Sequence, residues 1–441
     1  MSRPENSESV NRPLSRATAF AALSTVSLAV AFSVWGTVTI FLAVAVLGSL
    51  LREGTLFDVL STAVDVQDGR LRTLISFSLT AGALAALVPA VELPAPVYVT
   101  TMLTIGFGDL GRRAVETNRR GAVASTAGFV FAGGAAGILG QLVLGALTDG
   151  AALTPYVLFV AASAAFLGAL LRSVLVARND PLVLGFGTLL LWLLFDLAVG
   201  VSWTPVFVAL LVSFLFGWLS ISLETASIPG MLTGVFLSLL AVVLGGYGWF
   251  VVLIAFFGIG GLATKYRYGK KVERGVAEAN EGARGTGNVL GNSLAALVAL
   301  LFFAAHPRLP VSSVVLVYAF AGSVATALAD TLSSEIGGLY DDPRLLTTFE
   351  RVAPGTDGAV TWQGELAGAA GAALIGLLAV AALPISPIGV TVVVIGGLLG
   401  MTVDSIAGAT IEGEYVGNQA VNFIATSAGG VAGALVSLLV V

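Results

Sequence analysis

The sequence predicts an all-α, polytopic membrane bundle of about fifteen transmembrane helices, and three observations predict it. Of 441 residues, 57% are hydrophobic and only 11% charged, whereas soluble domains carry about 25% charge. Apolar stretches near membrane-spanning length recur from residue 18 to residue 440. Basic side chains gather in a few loops, the pattern that fixes orientation in a bilayer.

Taken in order, the apolar periodicity places helices at about 18–33, 37–52, 73–91, 95–107, 121–148, 153–175, 181–200, 203–221, 229–243, 246–263, 288–304, 312–330, 358–382, 386–403 and 419–440. Ser33–Gly36 and Gly245–Gly248 are tight hairpins in this scheme. Met1–Arg16 is a polar tail without a short apolar core and cleavage site, so the first apolar segment is expected to stay as an anchor. Helix parity puts the loops Arg112–Arg120, Arg172–Arg178 and Lys265–Arg284 on one side, the cytoplasm by the positive-inside rule. The acidic loops Thr331–Asp357 and Asp404–Asn418 fall on that side too. The expectation is a multi-pass cell-membrane protein with its active face cytoplasmic.

A weak internal repeat runs through the chain. Gly108-Asp109, Ser125-Thr126-Ala127-Gly128, Arg172-Ser173 and Asn179 of the first half correspond to Ala329-Asp330, Thr361 through Gly368, Asp404-Ser405 and Asn418 of the second. Eight helices separate Asp109 from Asp330, so the halves would run parallel. Chance similarity among helices rich in Gly, Ala, Ser and Thr is the competing explanation.

Composition excludes several chemistries. Cysteine is absent, which removes disulfides, thiolate metal sites and cysteine nucleophiles. The one histidine, His306, precedes Pro307 and reads as a solvated loop residue, so His-rich zinc chemistry is excluded. Only Lys265, Lys270 and Lys271 are lysines among 21 basic residues, and the net charge is −5. GC-rich codon usage accounts for the arginine bias. A salt-adapted, haloarchaeal host accounts also for the acidic tail and loops and is preferred. No nucleic-acid partner is expected.

The most informative stretch is Ala329-Asp330-Thr331-Leu332-Ser333-Ser334-Glu335-Ile336-Gly337. An ionised side chain at a bilayer centre costs about 2.5–3.5 kcal/mol on insertion scales. Such groups therefore sit at a membrane surface, line a cavity or hold a cation. Ser333 and Ser334 share a helical face with Asp330, while Glu335, at i+5, points about 140° away. Asp330 and Glu335 can share a metal only if the helix unwinds near Ser334, for which Gly337-Gly338 offers a place. A solvated helix end is the bland alternative.

Two further clusters follow. Gly355-Thr356-Asp357-Gly358 is expected to open the helix carrying Thr361, Gly364 and Gly368. Free backbone N–H groups and the positive dipole end there suit phosphate. It is not a Walker A loop, and the helix glycines also serve simple close packing. Asp404, followed by Ser405, ends another apolar segment. Three oxygen-rich, histidine-free clusters on one face suit magnesium, which keeps waters and bridges substrate phosphates. Lys265–Lys271 reads as a basic loop that sets topology. Arg284-Gly-Thr-Gly-Asn288, with Asn292 one turn on, suits bidentate phosphate binding.

In this order the motifs resemble the family of plant phytyl-phosphate kinases and animal transmembrane protein 19. The resemblance is carried by Arg284–Asn288, Asp330–Gly337, Gly355–Thr361, Gly364, Gly396–Gly400, Val403-Asp404-Ser405, Gly408-Ala409-Thr410, Asn418 and Asn422, over roughly Leu210–Val441. It implies phosphorylation of a prenyl monophosphate to its diphosphate, with a nucleoside triphosphate donor (CTP or ATP) and Mg2+. The first half is faintly similar to dolichol and phytol kinases through Gly108-Asp109, Gly128 and Asn179-Asp180-Pro181-Leu182. That family's Lys-Thr/Ser-x-Glu-Gly element is replaced by Ala124-Ser-Thr-Ala-Gly128, and Arg172 stands where the repeat has Asp404. The domains are then a tail, 1–16; a dolichol/phytol kinase-like half, 17–205, either a second module or a degenerate one; and a prenyl-phosphate kinase-like half, 206–441.

On this reading Asp330 and Asp404 hold magnesium, and Glu335 assists a second metal or orients the acceptor. Arg284, Asn288, Ser334, Thr356, Asp357, Gly358, Thr361, Ser405, Asn418 and Asn422 bind phosphate or nucleotide. An isoprenoid tail enters from the bilayer. A CTP-dependent lipid cytidylyltransferase is the rival enzyme, and a secondary transporter is the rival from another class. Transporter sites, however, lie near the midplane.

Overall fold

The structure is a computed structural model that describes residues 6–118, 121–148, 150–175, 180–198, 200–277 and 285–440. The chain divides into two compact units, Met1–Trp203 and Thr204–Val441. Arg284 and Asn179 lie outside the described residues.

The first unit contains α1 (Asn6–Ser24, continued by a 3-10 segment to Ala31), α2 (Val34–Leu50), the short α3 (Thr55–Leu60) and α4 (Ala63–Asp68), and α5 (Arg72–Ala90). These are followed by α6 (Ala95–Thr117), α7 (Ala122–Leu147), α8 (Pro155–Val174) and α9 (Asp180–Leu197). Helix α6 is its centre and packs on α1, α7, α8 and α9. Residues Val97–Gly106 of α6 are all buried.

The second unit holds α10 (Trp203–Ser222), α11 (Ile228–Leu240, ending in a π turn), α12 (Tyr247–Lys265), the short α13 (Tyr268–Glu273), α14 (Thr286–Ala305) and α15 (Ser313–Gly337). A hairpin of β1 (Arg344–Leu345) and β2 (Ala359–Val360) leads to α16 (Trp362–Ala382), α17 (Gly389–Thr410) and α18 (Asn418–Ser437). Helix α15 is the hub, touching α12, α14, α16, α17 and α18. Small residues let them close on it: a Cβ on Gly322 or Gly396 would meet the Gly429 carbonyl, the close approach by which helices associate in lipid. At the far end, Trp249 packs its ring 4.6 Å from Phe303 and 4.3 Å from Phe320, tying α12, α14 and α15 together.

Each of the fifteen expected apolar segments is helical. Among the described residues, twelve helices are long and apolar enough to cross a membrane; Val34–Leu50 and Pro181–Leu197 are shorter apolar helices, and α6 carries Asp109, Arg112, Arg113 and Glu116 in its last turns. The helix ends differ from the sequence expectation. Helices α6, α15 and α17 run seven to ten residues past the expected 107, 330 and 403, because polar residues there do not stop a helix. Their hydroxyls bond back to carbonyls of the preceding turn, as Ser334 does to Thr331 (3.2 Å) and Ser405 to Met401 (3.3 Å). The helix after Gly355 begins at Trp362, not 358, since β2 intervenes and pairs antiparallel with β1. Thr361 is its N-cap, accepting from the Gly364 N–H at 3.2 Å.

Candidate functional site

A cavity of about 660 Å³ opens at one end of the second unit, within the size range of small-molecule sites. The α14 N-terminus, the last two turns of α15, the turn before β2, the end of α17 and the α18 N-terminus form its walls. Asp330, Ser334, Glu335, Asn288, Thr356, Asp357, Gly358, Thr361, Asp404, Ser405, Asn418 and Asn422 all line it. Residues scattered over more than a hundred positions thus meet in one space.

Asp330 and Asp404 come from different helices, and their carboxyl groups face one another in the cavity at interaction range. One oxygen of Asp404, Oδ1, is buried with no hydrogen-bond partner. Two carboxylates at this range repel unless they share a proton or a cation. The turn before β2 fixes the third cluster beside them. Gly355 and Gly358 have φ of +83° and +72°, the left-handed region glycine favours. A Cβ at Gly358 would collide with the Ser405 carbonyl and the Ala409 N–H, so the turn lies directly on α17.

Glu335 is placed differently from the sequence expectation of a second-metal or acceptor-orienting role. Helix α15 continues unbroken to Gly337, so the unwinding that would turn Glu335 toward Asp330 does not occur. Instead Glu335 accepts from Lys271 Nζ at 2.5 Å, with side-chain exposures of 8% and 1%. Lys271 also donates to the carbonyls of Ala263 (2.7 Å) and Thr264 (3.1 Å) at the end of α12. All three ammonium donors are used. The basic loop read as a topology signal therefore supplies an internal strut. Arg274, just beyond, donates to the carbonyls of Gly338 (2.9 Å) and Tyr340 (2.7 Å) and pairs with Asp341 (2.8 Å). It ties the segment after α13 to the cavity's edge.

One lining residue escaped the sequence reading. Glu412, in the loop after α17, lines the cavity. Burial first, then the negative charges of Asp357 and Asp404, push its carboxyl above the usual range, against a lowering hydrogen bond from Asn418. Its place inside an acidic loop concealed it. The asparagines expected from the sequence line the cavity as a carboxamide wall. Asn292 Nδ2 donates to Asn288 Oδ1 at 3.3 Å and Asn422 Nδ2 to Asn418 Oδ1 at 3.2 Å, with Gln419 between the two helices. The i,i+4 spacing of both asparagine pairs was its visible signal.

Five carboxylates line the cavity, and among the described lining residues there is no arginine or lysine. Lys271 answers one of the five from behind the wall. An anionic phosphate needs positive charge that the described lining does not supply. Among the described residues no group of three or more Asp, Glu or His side chains could hold a metal by itself. Two facing carboxylates with a partnerless buried oxygen fit an ion that takes one or two carboxylates and completes its shell with water and phosphate oxygens, which is how magnesium binds.

Apolar helices of spanning length, with a polar cavity at one end of the second unit, define an integral membrane protein. The chain belongs to the family described as integral membrane protein DUF92, whose model matches residues 211–431, inside the second unit. It is 37% identical over 198 residues to an uncharacterized membrane protein of Methanocaldococcus jannaschii, covering 43% of this chain and 77% of that one. It is 32% identical to an uncharacterized membrane protein of Synechocystis, with coverage of 41% and 72%. It is also 32% identical to Protein VTE6, chloroplastic, of Arabidopsis thaliana, with coverage of 42% and 57%. No solved structure matches the chain significantly.

Proposed function

We propose that the second unit is a membrane prenyl-phosphate kinase. It would transfer the γ-phosphoryl group of a nucleoside triphosphate, CTP or ATP, to a phytyl- or geranylgeranyl-type monophosphate. The observation that carries this reading is the approach of Asp330 and Asp404 in a cavity whose described lining is acidic and amidic without a basic side chain. The ordered motifs that resemble the phytyl-phosphate kinase family support it, as does the plant chloroplast relative.

The chemistry follows from what the residues can do. An oxygen of the acceptor monophosphate attacks the γ-phosphorus, the bond to the β-bridging oxygen breaks, and a nucleoside diphosphate leaves. The acceptor is already anionic, so positioning and charge neutralisation suffice and no strong base is required. Asp330 and Asp404 would hold magnesium, which would supply the positive charge that the described lining lacks. The Thr356–Gly358 turn and the asparagine pairs on α14 and α18 present donors that orient phosphate oxygens and exclude competing poses. Lys271 and Glu335 hold α15 in register.

The cavity's level favours an amphiphilic substrate. Trp362, Tyr340, Tyr415 and Phe349 are 68%, 43%, 72% and 68% exposed and border the same end of the unit, as aromatic side chains do at a membrane–water boundary. A phosphate head group reaches the cavity while its isoprenoid tail stays in lipid. By the positive-inside argument this end faces the cytoplasm.

The test incubates membranes carrying the protein with geranylgeranyl or phytyl monophosphate, magnesium and each γ- or α-labelled nucleotide. Transfer of γ-label to a prenyl diphosphate supports the proposal. Incorporation of α-label with pyrophosphate release identifies a cytidylyltransferase instead, and no labelled lipid refutes both.

A further inference from the structure

The first unit contains an arrangement that the proposed kinase site does not use. Asp109, on the central helix α6, is 6% exposed. Its Oδ2 receives Arg172 Nη2 from α8 at 2.8 Å, and its Oδ1 receives Arg112 at 3.4 Å. The second unit has the same construction from its own elements. Asp330 is on the central helix α15, and it faces Asp404 on α17, again two helices further along the chain.

The correspondence extends to register. One turn before Arg172, a Cβ at Gly168 would crowd Ile105, which lies one turn before Asp109. One turn before Asp404, a Cβ at Gly400 would crowd Thr326, one turn before Asp330. Each pair is followed by a serine that bonds back to its own helix, Ser173 to Leu170 (2.7 Å) and Ser405 to Met401 (3.3 Å). In both units a glycine faces the central helix one turn earlier, and the next turn brings a side chain onto the buried aspartate. The side chain at that point is a guanidinium in one unit and a carboxylate in the other.

We infer that the first unit is a second copy of the same bundle whose cation position has been filled from within, with Arg172 standing where Asp404 stands. A divalent cation is attracted to two facing carboxylates and repelled by a guanidinium already seated on one. Asp109 is therefore neutralised by a built-in positive charge and takes up no divalent metal. The guanidinium cannot lose its proton at accessible pH, so the position stays closed. The first unit keeps the fold and contributes no metal-dependent phosphoryl transfer. The cation preference of the second unit used in this comparison rests on the function proposed above.

The test counts bound Mn2+ by electron paramagnetic resonance on the full chain in lipid nanodiscs. Arg172→Asp is expected to add one Mn2+ per chain, lost again in Arg172→Asp/Asp109→Asn, while Asp109→Asn alone changes nothing. A folded Arg172→Asp chain that gains no Mn2+, or an Asp109→Asn chain that loses one, overturns the inference. Should Arg172→Asp not fold, Asp404→Arg decides. It recreates the first unit's pair in the second, and is expected to stay folded and to bind no Mn2+ there. Unfolding of Asp404→Arg where Asp404→Asn remains folded overturns the inference. The proposed function fails separately, if the wild-type chain binds no Mn2+ that depends on Asp330; the gain in Arg172→Asp is read regardless.

Discussion

Replacing Lys271 by methionine isolates what the buried strut contributes. The ammonium is 1% exposed and its three protons go to Glu335 and to the carbonyls of Ala263 and Thr264. Methionine keeps the length of the side chain, so the change removes charge and donors with little loss of volume. It leaves Glu335 without its ammonium partner in a site where its side chain is 8% exposed, a loss of about 3–5 kcal/mol for one half of a buried pair. At about 2–4 °C per kcal/mol for a domain of this size, the melting midpoint should fall by roughly 6–20 °C. Glu335→Gln should cost less, because Lys271 keeps two carbonyl partners and the amide still accepts. The double variant Lys271→Met/Glu335→Gln should be more stable than Lys271→Met alone, with a coupling of about 1–3 kcal/mol. Intrinsic tryptophan fluorescence melts in detergent provide the measurement. Single effects that add to within about 0.5 kcal/mol would refute the strut. If Glu335 only positions α15, the double variant also retains the magnesium dependence of phosphoryl transfer.

Other outcomes follow from the same geometry. Asp330→Asn and Asp404→Asn should each raise the melting midpoint without magnesium, by relieving the approach of two carboxyl groups, and should each lose the stabilisation by added magnesium, about 2.7 kcal/mol at a hundredfold excess over Kd in the wild type. Gly358→Ala demands a left-handed backbone and a Cβ inside the space of the Ser405 carbonyl; calorimetry should register a loss of about 1–3 kcal/mol, and an unchanged midpoint would mean that the turn does not rest on α17. Glu412 has a raised carboxyl pKa, so its contribution to stability is fully present below the ordinary carboxylate range and is lost as pH rises through the raised value; in magnesium-free buffer Glu412→Gln should flatten that decline, and an unaltered pH slope contradicts the assignment. Ser334→Cys introduces the chain's one thiol at an exposed position lining the cavity; in sealed vesicles a membrane-impermeant maleimide should label it from the cytoplasmic side, and labelling from the other side alone would reverse the topology.

The sequence by itself determined the class of fold and most of the cast of the candidate site. Hydropathy has a range of one helix, so it marked every apolar helix correctly while remaining blind to what lies beside each. Motifs that carry polar groups into apolar segments were legible for the same reason: Asp330, Asp404 and the Gly355–Gly358 turn stand out against their neighbours, and all line one cavity. The helix ends were misread because a carboxylate or serine signals water to a hydropathy reading. In the fold Asp109 answers Arg172, and Ser334 answers its own helix.

Only the tertiary structure decided which charges meet. The i+5 spacing of Asp330 and Glu335 left two outcomes open, and the unbroken turn at Ser334 selected one, sending Glu335 to a lysine 64 residues away. Lys271 looked like any loop lysine, since nothing local distinguishes an ammonium that will be solvated from one that will cap α12. Likewise Arg172 and Asp404 both read as polar residues near the end of an apolar segment; the sequence repeat aligned them, but their opposite consequences appear only when each is seated on its aspartate. Hydrophobic patterning acts within one helix and so can be read along the chain, whereas Coulomb pairing acts between helices and is settled by how they pack.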